Sequence, residues 1–189
     1  MAPPPLPTAE NTAHLNADQK RLLQLNQWQI NGRMALNRDD DGMIATMIWQ
    51  QHERSYTIDL FTPNGGESMR IEGNPERVIL TNNDSETFTA ATAEQLLLQH
   101  FGVEVPISAI VYWVRGIPAP GDGEQTLNSH GEMIALKQSG WQVTLPSYQE
   151  SGTPSVSQRL PKQLFMEGDE GKVRIVIHRW SDLAFAPSR

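Results

Sequence analysis

The chain has 189 residues, with 15 basic and 22 acidic side chains and a formal net charge of −7 at pH 7. This acidic balance argues against a nucleic-acid partner and against simple electrostatic attraction to anionic lipid, because both need clustered lysine and arginine. The chain contains no cysteine, which excludes a disulfide framework and thiolate chemistry. No apolar run approaches the roughly 20 residues of a membrane-spanning helix.

The start of the chain differs in composition from the rest. Residues 1–12 are rich in proline and predict an extended N-terminal tether, and residues 13–189 are long enough for a single domain with a sizeable core. The first ten residues, MAPPPLPTAE, lack the apolar segment of a signal peptide. A short helix is predicted from about Asn16 to Asn26, with Asn16 as its N-cap.

A run of short strands follows this helix. In WQINGRMALN (28–37), Trp28, Ile30, Met34 and Leu36 share one face and polar residues share the other, which predicts a half-buried strand. Five more strands are predicted, in MIATMIWQ (43–50), YTIDLF (56–61), SMRIEG (68–73), RVILTN (77–82) and ETFTA (86–90). Tight turns without crossover helices favour an antiparallel meander.

Two helices are predicted in the middle of the chain. The first begins near Ala93, with Thr92 as its N-cap, and ends near Gly102. The second covers about 107–115, with Gly116 in the position of a C′ glycine. This second helix is apolar almost all round, so it is expected to be buried on more than one face or to cover an apolar cavity.

Strands are predicted again in the last third of the chain. They cover about 124–127, EMIALKQ (132–138), WQVTLP (141–146), KQLFME (162–167) and KVRIVIHRW (172–180), while SYQESGTPSVSQRLP (147–161) is expected to be a long polar connection. The total is about eleven strands and three helices in one domain. Two strands are apolar on both faces, with Ile44 and Ile48 opposite Met43, Ala45, Met47 and Trp49, and with Val176 and Trp180 opposite Val173, Ile175 and Ile177. This favours a curved sheet with helices or a ligand on its concave face.

Motifs for catalysis or metal binding are not found. NRDDDG (37–42) matches the first half of a calcium loop, but the closing glutamate position is occupied by Ile48, so a hairpin turn is predicted instead. The five histidines are scattered, and neither a GxSxG elbow nor a glycine-rich phosphate loop is present. An enzymatic function therefore has no support in local motifs, and no cofactor or metal is expected.

Five stretches of the chain carry a family resemblance. They are LNQWQINGRMAL (25–36), MIWQQ (47–51), YTIDLFTPNGG (56–66), WVRGIP (113–118) and IVIHRW (175–180). The most specific is the Trp-x-x-Gly-x-Pro string of Trp113, Gly116 and Pro118, which follows an apolar helix. In order and spacing, over about residues 16–182, these stretches resemble the LolB family, the outer-membrane lipoprotein receptors of Gram-negative bacteria.

The resemblance implies a mainly β fold, an open antiparallel half-barrel whose helices form a lid over an apolar cavity. It implies that the protein accepts acylated lipoproteins from a periplasmic carrier similar to LolA and inserts them into the inner leaflet of the outer membrane, without ATP. Family members are anchored at the periplasmic face of the outer membrane by an acylated N-terminal cysteine. That cysteine is absent from this sequence, so residues 1–12 are expected to be the tether next to the anchor.

The expected acyl-chain cavity is lined by apolar side chains from the predicted strands and from the second apolar helix. The set is Met34, Leu36, Met47, Trp49, Ile58, Leu60, Met69, Ile71, Trp113, Leu136, Trp141, Val143 and Ile175. Ordinary core packing is the alternative for each of them, since protein interiors are made of such residues. Trp49 and Trp113 are the leading candidates, because their strings carry the resemblance.

The hairpin tip TPNGGES (62–68) is expected to project from the sheet. Pro63 fixes its own φ, and Gly65 and Gly66 tolerate positive φ, so the chain can reverse there. In the family, the residue after this proline is an exposed leucine that helps to place lipoproteins in the membrane. Here it is Asn64, which cannot partition into acyl chains as leucine does. The loop then acts through its shape, through a neighbour such as Phe61, or only as a turn.

Three other functions stay open at this stage. A periplasmic carrier or a lipocalin-like protein would bind another hydrophobic ligand in the same hollow. A regulatory domain would use the half-barrel to contact a protein partner. An enzyme would have to assemble its site only in the folded chain.

Overall fold

The structure is a computed structural model that describes residues 4–10, 12–38, 41–63, 68–169 and 171–187. Within these residues the chain forms three helices and thirteen strands. The helices are α1 (Ala17–Leu23), α2 (Ala93–Phe101) and α3 (Ile107–Trp113). The strands are β1 (Leu25–Arg38), β2 (Asp41–His52), β3 (Ser55–Phe61), β4 (Ser68–Gly73), β5 (Val78–Thr81), β6 (Thr87–Ala90), β7 (Glu124–Leu127), β8 (Met133–Gln138), β9 (Trp141–Thr144), β10 (Tyr148–Thr153), β11 (Val156–Pro161), β12 (Gln163–Gly168) and β13 (Gly171–Phe185).

Eleven of these strands form one antiparallel sheet in the order β6-β5-β4-β3-β2-β1-β13-β12-β9-β8-β7. The sheet is open, since the edge strands β6 and β7 do not pair with each other. Two neighbour pairs depart from a simple meander: β13 returns beside β1, and β12 lies beside β9. The predicted fold class is confirmed: the sheet is large and open, and α2 and α3 pack on one of its faces. The eleven predicted strands are the eleven strands of this sheet.

The predicted helix caps are also confirmed. The Asn16 side chain accepts from the Gln19 backbone N–H and Gln19 bonds back to Asn16, which makes a reciprocal capping box on α1. Thr92 caps α2, and this helix ends at Gly102, which has a φ of 66°. The third helix begins at a proline that offers no side-chain cap, and a carboxylate of α2 replaces the cap: Glu94 accepts from the backbone N–H of Ser108 at 2.9 Å.

Two predicted helix ends are too late in the sequence. The first helix stops at Leu23 rather than near residue 26, because β1 begins at Leu25. The third stops at Trp113 rather than near residue 115, and the chain then turns through Gly116, which has a φ of 82°. Both elements end where the following segment joins the core, which helical periodicity alone does not show.

Strand β13 contains a bulge that sequence alternation misses. Its register against β1 passes from Gly32↔Ile177 to Asn31↔Arg179, so His178 is an extra residue. The extra residue turns Trp180 to the same side as Val173, Ile175 and Ile177, so the expectation that it lies on the opposite face is wrong. Trp180 is buried against Trp28, with ring centroids 5.4 Å apart.

The close approach of β1 and β13 at this bulge explains the glycine of the INGRM string. A Cβ atom at Gly32 would lie 2.1 Å from the carbonyl oxygen of Val176, a distance at which the strands would have to separate. Glycine is the residue that permits this contact. The close approach of the two strands therefore explains the glycine in the first family-like stretch, residues 25–36.

The expectation of a long polar connection at 147–161 is wrong, because β10 and β11 form a separate two-stranded hairpin there. Its polar residues face solvent, while Leu160 is fully buried. Side chains tie it to the main sheet: the Tyr148 hydroxyl donates to the Met133 carbonyl at 2.6 Å, and the Trp180 indole donates to the Pro161 carbonyl at 2.9 Å. The alternation in this segment is between polar and small residues, so it carries little hydrophobic signal.

Two predicted turns border residues that the structure does not describe. Arg38 pairs with Asp41 across the β1–β2 hairpin, which confirms a turn where the calcium-like NRDDDG string lies. Phe61 pairs with Ser68 across the β3–β4 hairpin. Of the predicted projecting loop, only Pro63 is described, and it is exposed; Asn64, Gly65 and Gly66 lie outside the described residues. Their role stays a prediction.

Candidate functional site

An apolar cavity of about 40 Å³ lies between the concave face of the sheet and the helices α2 and α3. All its lining side chains are apolar. Eight of the thirteen predicted cavity residues meet there, from strands β1–β4 and β13. They are Met34, Leu36, Met47, Trp49, Ile58, Leu60, Ile71 and Ile175. Strand alternation succeeded here because all eight side chains point to the same face of one continuous half of the sheet.

Seven lining residues were not in the predicted set. They are Met43, Leu97, Phe101, Val105, Ile107, Ile110 and Val173. Two of these, Met43 and Val173, belong to the alternation already recognised in their strands. The other five belong to the helical segment, and the helical spacing of Ile107 and Ile110 was the signal that could have identified them. These five residues form the side of the cavity that faces the sheet.

The other five predicted residues do not line this cavity. Met69 is the β4 partner of Leu60 in the β3–β4 register. It borders a separate surface pocket that Phe88 and His100 also line. Leu136, Trp141 and Val143 are buried on β8 and β9, in the other half of the sheet. Trp113 is fully buried, and its indole donates to the Gln138 side chain at 2.8 Å. Trp113 and the residues of β8 and β9 belong to the core around the end of α3. Acyl-chain contact by any of the five stays a prediction.

The size of the cavity shows that the helices are closed on the sheet. Ligand pockets are typically about 300–1,000 Å³, several times the volume found here. Most of the lining is buried, but Met34, Met43, Phe101 and Ile107 are half-buried and form the rim. A long apolar ligand can enter only if α2 or α3 moves away from the sheet.

The two helices are held in different ways. At its C-terminal end α3 is fixed by the Trp113–Gln138 hydrogen bond and by the Arg115 guanidinium, which donates to the carbonyl oxygens of Leu22 and Leu25 at 3.1 and 2.9 Å. At the other end of the lid, the Arg38 side chain donates to the Gly102 carbonyl that closes α2. The attachments of α3 are buried, whereas α2 is held by the exposed Arg38 bond at its C-terminal end and by the Glu94–Ser108 bond to α3 at its first turn. The C-terminal end of α2 is therefore the most easily displaced part of the two helices.

Like Glu94, Arg115 is a deeply buried charged group of this region. Burial lowers its pKa to about 10, and the neighbouring Tyr112 ring, 5.1 Å away, lies under the guanidinium. Its hydrogen bonds go to backbone carbonyls, including that of Val111 in α3. The guanidinium therefore joins α3 to the junction of α1 and β1.

A second cleft, of about 280 Å³, adjoins the apolar cavity. Trp49 and Ile107 line both spaces and separate them. The cleft is amphipathic, with Tyr56, Glu94 and Arg115 among its walls. Burial, reinforced by the charge of Glu94, raises the pKa of Tyr56, so its phenol stays neutral. The cleft and the cavity thus share a wall made by Trp49 and Ile107.

The described residues offer little for a metal ion or a membrane span. No three histidine, aspartate or glutamate side chains among them are grouped closely enough to hold a metal. None of the helices in the described part of the chain has the length and apolar character needed to cross a bilayer. The wholly apolar lining of the cavity suits contact with apolar ligand surface.

Comparison with known proteins identifies the family. The family model described as "Outer membrane lipoprotein LolB" matches residues 26–180. This chain belongs to the LolB family. Proteins named outer-membrane lipoprotein LolB from Ectopseudomonas mendocina and Alkalilimnicola ehrlichii are 32% and 35% identical to it, over 90% and 94% of this chain and 82% and 88% of theirs. One from Coxiella burnetii is 34% identical over 84% of this chain and 74% of its own.

The fold of this chain is also similar to solved structures that have little sequence similarity to it. A LolA superfamily protein from Nitrosomonas europaea superposes with a TM-score of 0.54 at 11% identity, covering 97% of this chain and 96% of its own. A DUF1329 family protein from Desulfovibrio piger gives 0.57 at 7% identity, covering 90% of both chains. At such identities the likeness shows a shared fold alone.

Proposed function

We propose that this protein accepts acylated lipoproteins from a LolA-like periplasmic carrier and inserts them into the inner leaflet of the outer membrane. The observation that supports this most directly is the wholly apolar cavity under α2 and α3. Membership of a family described as outer-membrane lipoproteins supports the location. The protein binds and releases its cargo and does not transform it.

Burial of acyl chains provides the driving force. Each buried methylene contributes about 0.8 kcal/mol, so a lipoprotein with long acyl chains stays bound to an apolar carrier rather than in water. The cavity of about 40 Å³ has to widen to take a chain, and the exposed Arg38–Gly102 attachment makes α2 the moving element. When the chains leave, the helices return to the sheet and bury their own apolar faces.

Transfer without ATP follows from this balance. A carrier can pass its cargo on only toward a site of higher affinity, and the receptor must bind more weakly than the membrane itself. Refilling of the empty cavity by Leu97, Phe101 and Ile110 competes with the acyl chains and limits their affinity. Closure of α2 thus favours release to the bilayer.

The position at the membrane is part of the same proposal. The protein is held at the periplasmic face of the outer membrane by an N-terminal lipid, and the proline-rich residues 1–12 form the tether. Residues 4–8 have no regular secondary structure, as a tether requires. Cargo can then be released close to the inner leaflet.

Transfer of a radiolabelled lipoprotein from its periplasmic carrier tests the function. We expect the label to move to this protein and then to liposomes. Met34→Asp places a charge at the half-buried rim of the cavity and is expected to abolish the first step, while Ile44→Asp, on the exposed outer face of β2, retains it. Failure of the wild-type protein to take the label would contradict the proposal. Uptake without delivery to liposomes would indicate a soluble carrier instead.

A further inference from the structure

The amphipathic cleft of about 280 Å³ lies on the same face of the sheet as the apolar cavity. Trp49, Gln51 and Tyr56 contribute to its lining. In the β2–β3 register Gln51 pairs with Tyr56, and Trp49 pairs with Ile58 of the cavity, so all four side chains share the concave face. Residues of α2 and α3 form the opposite side of the cleft. A ligand in the cleft therefore contacts the same sheet face and the same helices as a ligand in the cavity.

The charged side chains of the cleft balance each other. Glu53 and Glu94 are acidic, whereas Arg54 and Arg115 are basic. The formal charge of the lining is therefore zero, and neither an anionic nor a cationic ligand gains a net attraction from it. A neutral ligand that carries polar atoms suits this cleft better than a charged one.

Two phenol groups of the lining are available for hydrogen bonds. Within the part of the chain that the structure describes, the hydroxyls of Tyr56 and Tyr112 have no hydrogen-bond partner. Burial raises the pKa of Tyr112 above its ordinary value of 10.0, although the charges of Arg115 and Arg54 act to lower it. Since burial raises the pKa of Tyr56 as well, both phenols stay protonated at neutral pH and can donate a hydrogen bond.

The lid can open the wall between the cleft and the cavity. Trp49 forms the sheet side of this wall, and the half-buried Ile107, in the first turn of α3, forms the helix side. Residues 102–106 join Ile107 to the displaceable C-terminal end of α2. A movement of this end away from the sheet, which the small cavity needs before it can take a long chain, therefore also draws Ile107 away from Trp49. The end of a chain held in the cavity then reaches the cleft.

We propose that the amphipathic cleft binds the ester or amide carbonyl groups through which acyl chains are attached to the lipoprotein, with Tyr56 and Tyr112 as hydrogen-bond donors. The inference rests on the proposed function, since the chains themselves must occupy the apolar cavity. Every acyl chain ends in a carbonyl group, so this contact is common to all acylated cargo and is absent from a plain hydrocarbon. The two phenols match the two ester carbonyls of a diacylated glycerol.

Dioctanoylglycerol and its diether analogue test the inference. A methylene replaces each ester carbonyl in the analogue, while the length of the chains stays the same. The affinities of the two lipids for the full chain are measured by displacement of a fluorescent fatty acid. We expect the ester to bind about tenfold more tightly than the ether, as about two net hydrogen bonds would give.

Variants assign this preference to the two tyrosines. Tyr56→Phe and Tyr112→Phe each remove a hydroxyl that has no partner among the described residues, so both proteins are expected to fold normally. We expect the ester-to-ether affinity ratio to fall about threefold in each variant and about tenfold in the double variant, while the affinity for the ether stays unchanged. Tyr148→Phe is the matched control, because its hydroxyl bonds to the Met133 carbonyl outside the cleft, and it keeps the wild-type ratio.

The outcomes of this test separate the two proposals. Equal binding of the ester and the ether by the wild-type protein would overturn the carbonyl site and leave the acyl-binding function intact. A preference that survives in the double variant would also overturn it, because other groups would then recognise the carbonyls. Failure of both lipids to displace the fatty acid would overturn the proposed function and, with it, this inference.

Discussion

The indole nitrogen of Trp113 lies 2.8 Å from the side-chain oxygen of Gln138, and both residues are buried. The same glutamine accepts from the backbone N–H of Ala119 at 2.9 Å and donates to its carbonyl at 2.7 Å. One side chain of β8 therefore fixes the end of α3 and the segment that follows it. Trp113, the first residue of the most specific family-like string, is a positioning residue in this structure.

Replacement of Gln138 by leucine should destabilise the protein strongly. The change leaves the Trp113 indole and both backbone groups of Ala119 without their partner, and we expect a loss of about 3 kcal/mol in the free energy of unfolding. Urea denaturation measures it. The control is Gln142→Leu, on the exposed face of β9, for which a change within about 0.5 kcal/mol is expected. Equal stability of the two variants would show that the Gln138 bonds contribute little.

Gly116, the glycine of the same string, should not tolerate alanine. Its φ is 82°, and a Cβ atom there would lie 2.8 Å from the Tyr148 hydroxyl oxygen. Gly140 has nearly the same φ, 81°, but nothing within 4 Å of its Cβ position. Gly140→Ala therefore measures the backbone cost alone, about 1 kcal/mol, while Gly116→Ala should cost about 1–3 kcal/mol more through the displaced tyrosine. Thermal unfolding compares them, and similar losses would exclude the steric contribution.

The fold was predictable where hydrophobic alternation is clean. The eleven strands of the sheet carry a period of two, and the first two helices carry the recognisable caps Asn16 and Thr92. The β10–β11 hairpin was missed because its alternation is between polar and small residues. The orientation of Trp180 was missed because a bulge at His178 shifts the pattern by one residue, and alternation cannot indicate an insertion of that kind.

The candidate site was predictable only in part for a related reason. Alternation shows which face of a strand is buried, so Met47, Trp49 and Ile58 were assigned correctly to the concave face. It does not show where along that face the helices leave space. Leu136 and Val143 point to the same face, but they lie on β8 and β9, outside the strands that line the cavity. The position of α3, which Gln138 fixes through Trp113, decides which strands line the cavity.

Release of α2 should make the cavity more accessible. The Arg38 side chain donates to the Gly102 carbonyl at the end of this helix, at an exposed position. In Arg38→Ala we expect uptake of a fluorescent fatty acid to be about two- to tenfold faster, because one hydrogen bond that holds the lid is lost. Stopped-flow fluorescence measures the rate. Arg33→Ala, exposed on the same strand, is the matched control. An unchanged rate in Arg38→Ala would argue that another element moves.

The stability that the Glu132–Arg159 bond contributes at the β10–β11 hairpin should depend on pH. Glu132 accepts from Arg159 of β11 at 2.6 Å and from Asn128 at 2.8 Å. Partial burial acts to raise the pKa of Glu132, but these hydrogen bonds and the positive charge of Arg159 outweigh it and lower the pKa below its ordinary value of 4.5. A carboxyl with a lowered pKa in the folded state contributes stability above pH 4.5, and this contribution is lost as the pH falls through the lowered pKa.

Removal of the arginine should therefore reduce the loss of stability in acid. In Arg159→Met we expect the free energy of unfolding to fall less steeply than in the wild type as the pH is lowered below 4.5. The effect is expected to be small, since the Arg159 side chain is largely exposed to solvent. Urea denaturation at a series of pH values measures the slope, and Lys172→Met, which breaks an exposed pair with Glu167, is the control that retains the wild-type slope. An Arg159→Met protein with the wild-type slope would show that groups other than Arg159, such as Asn128, lower the pKa of Glu132.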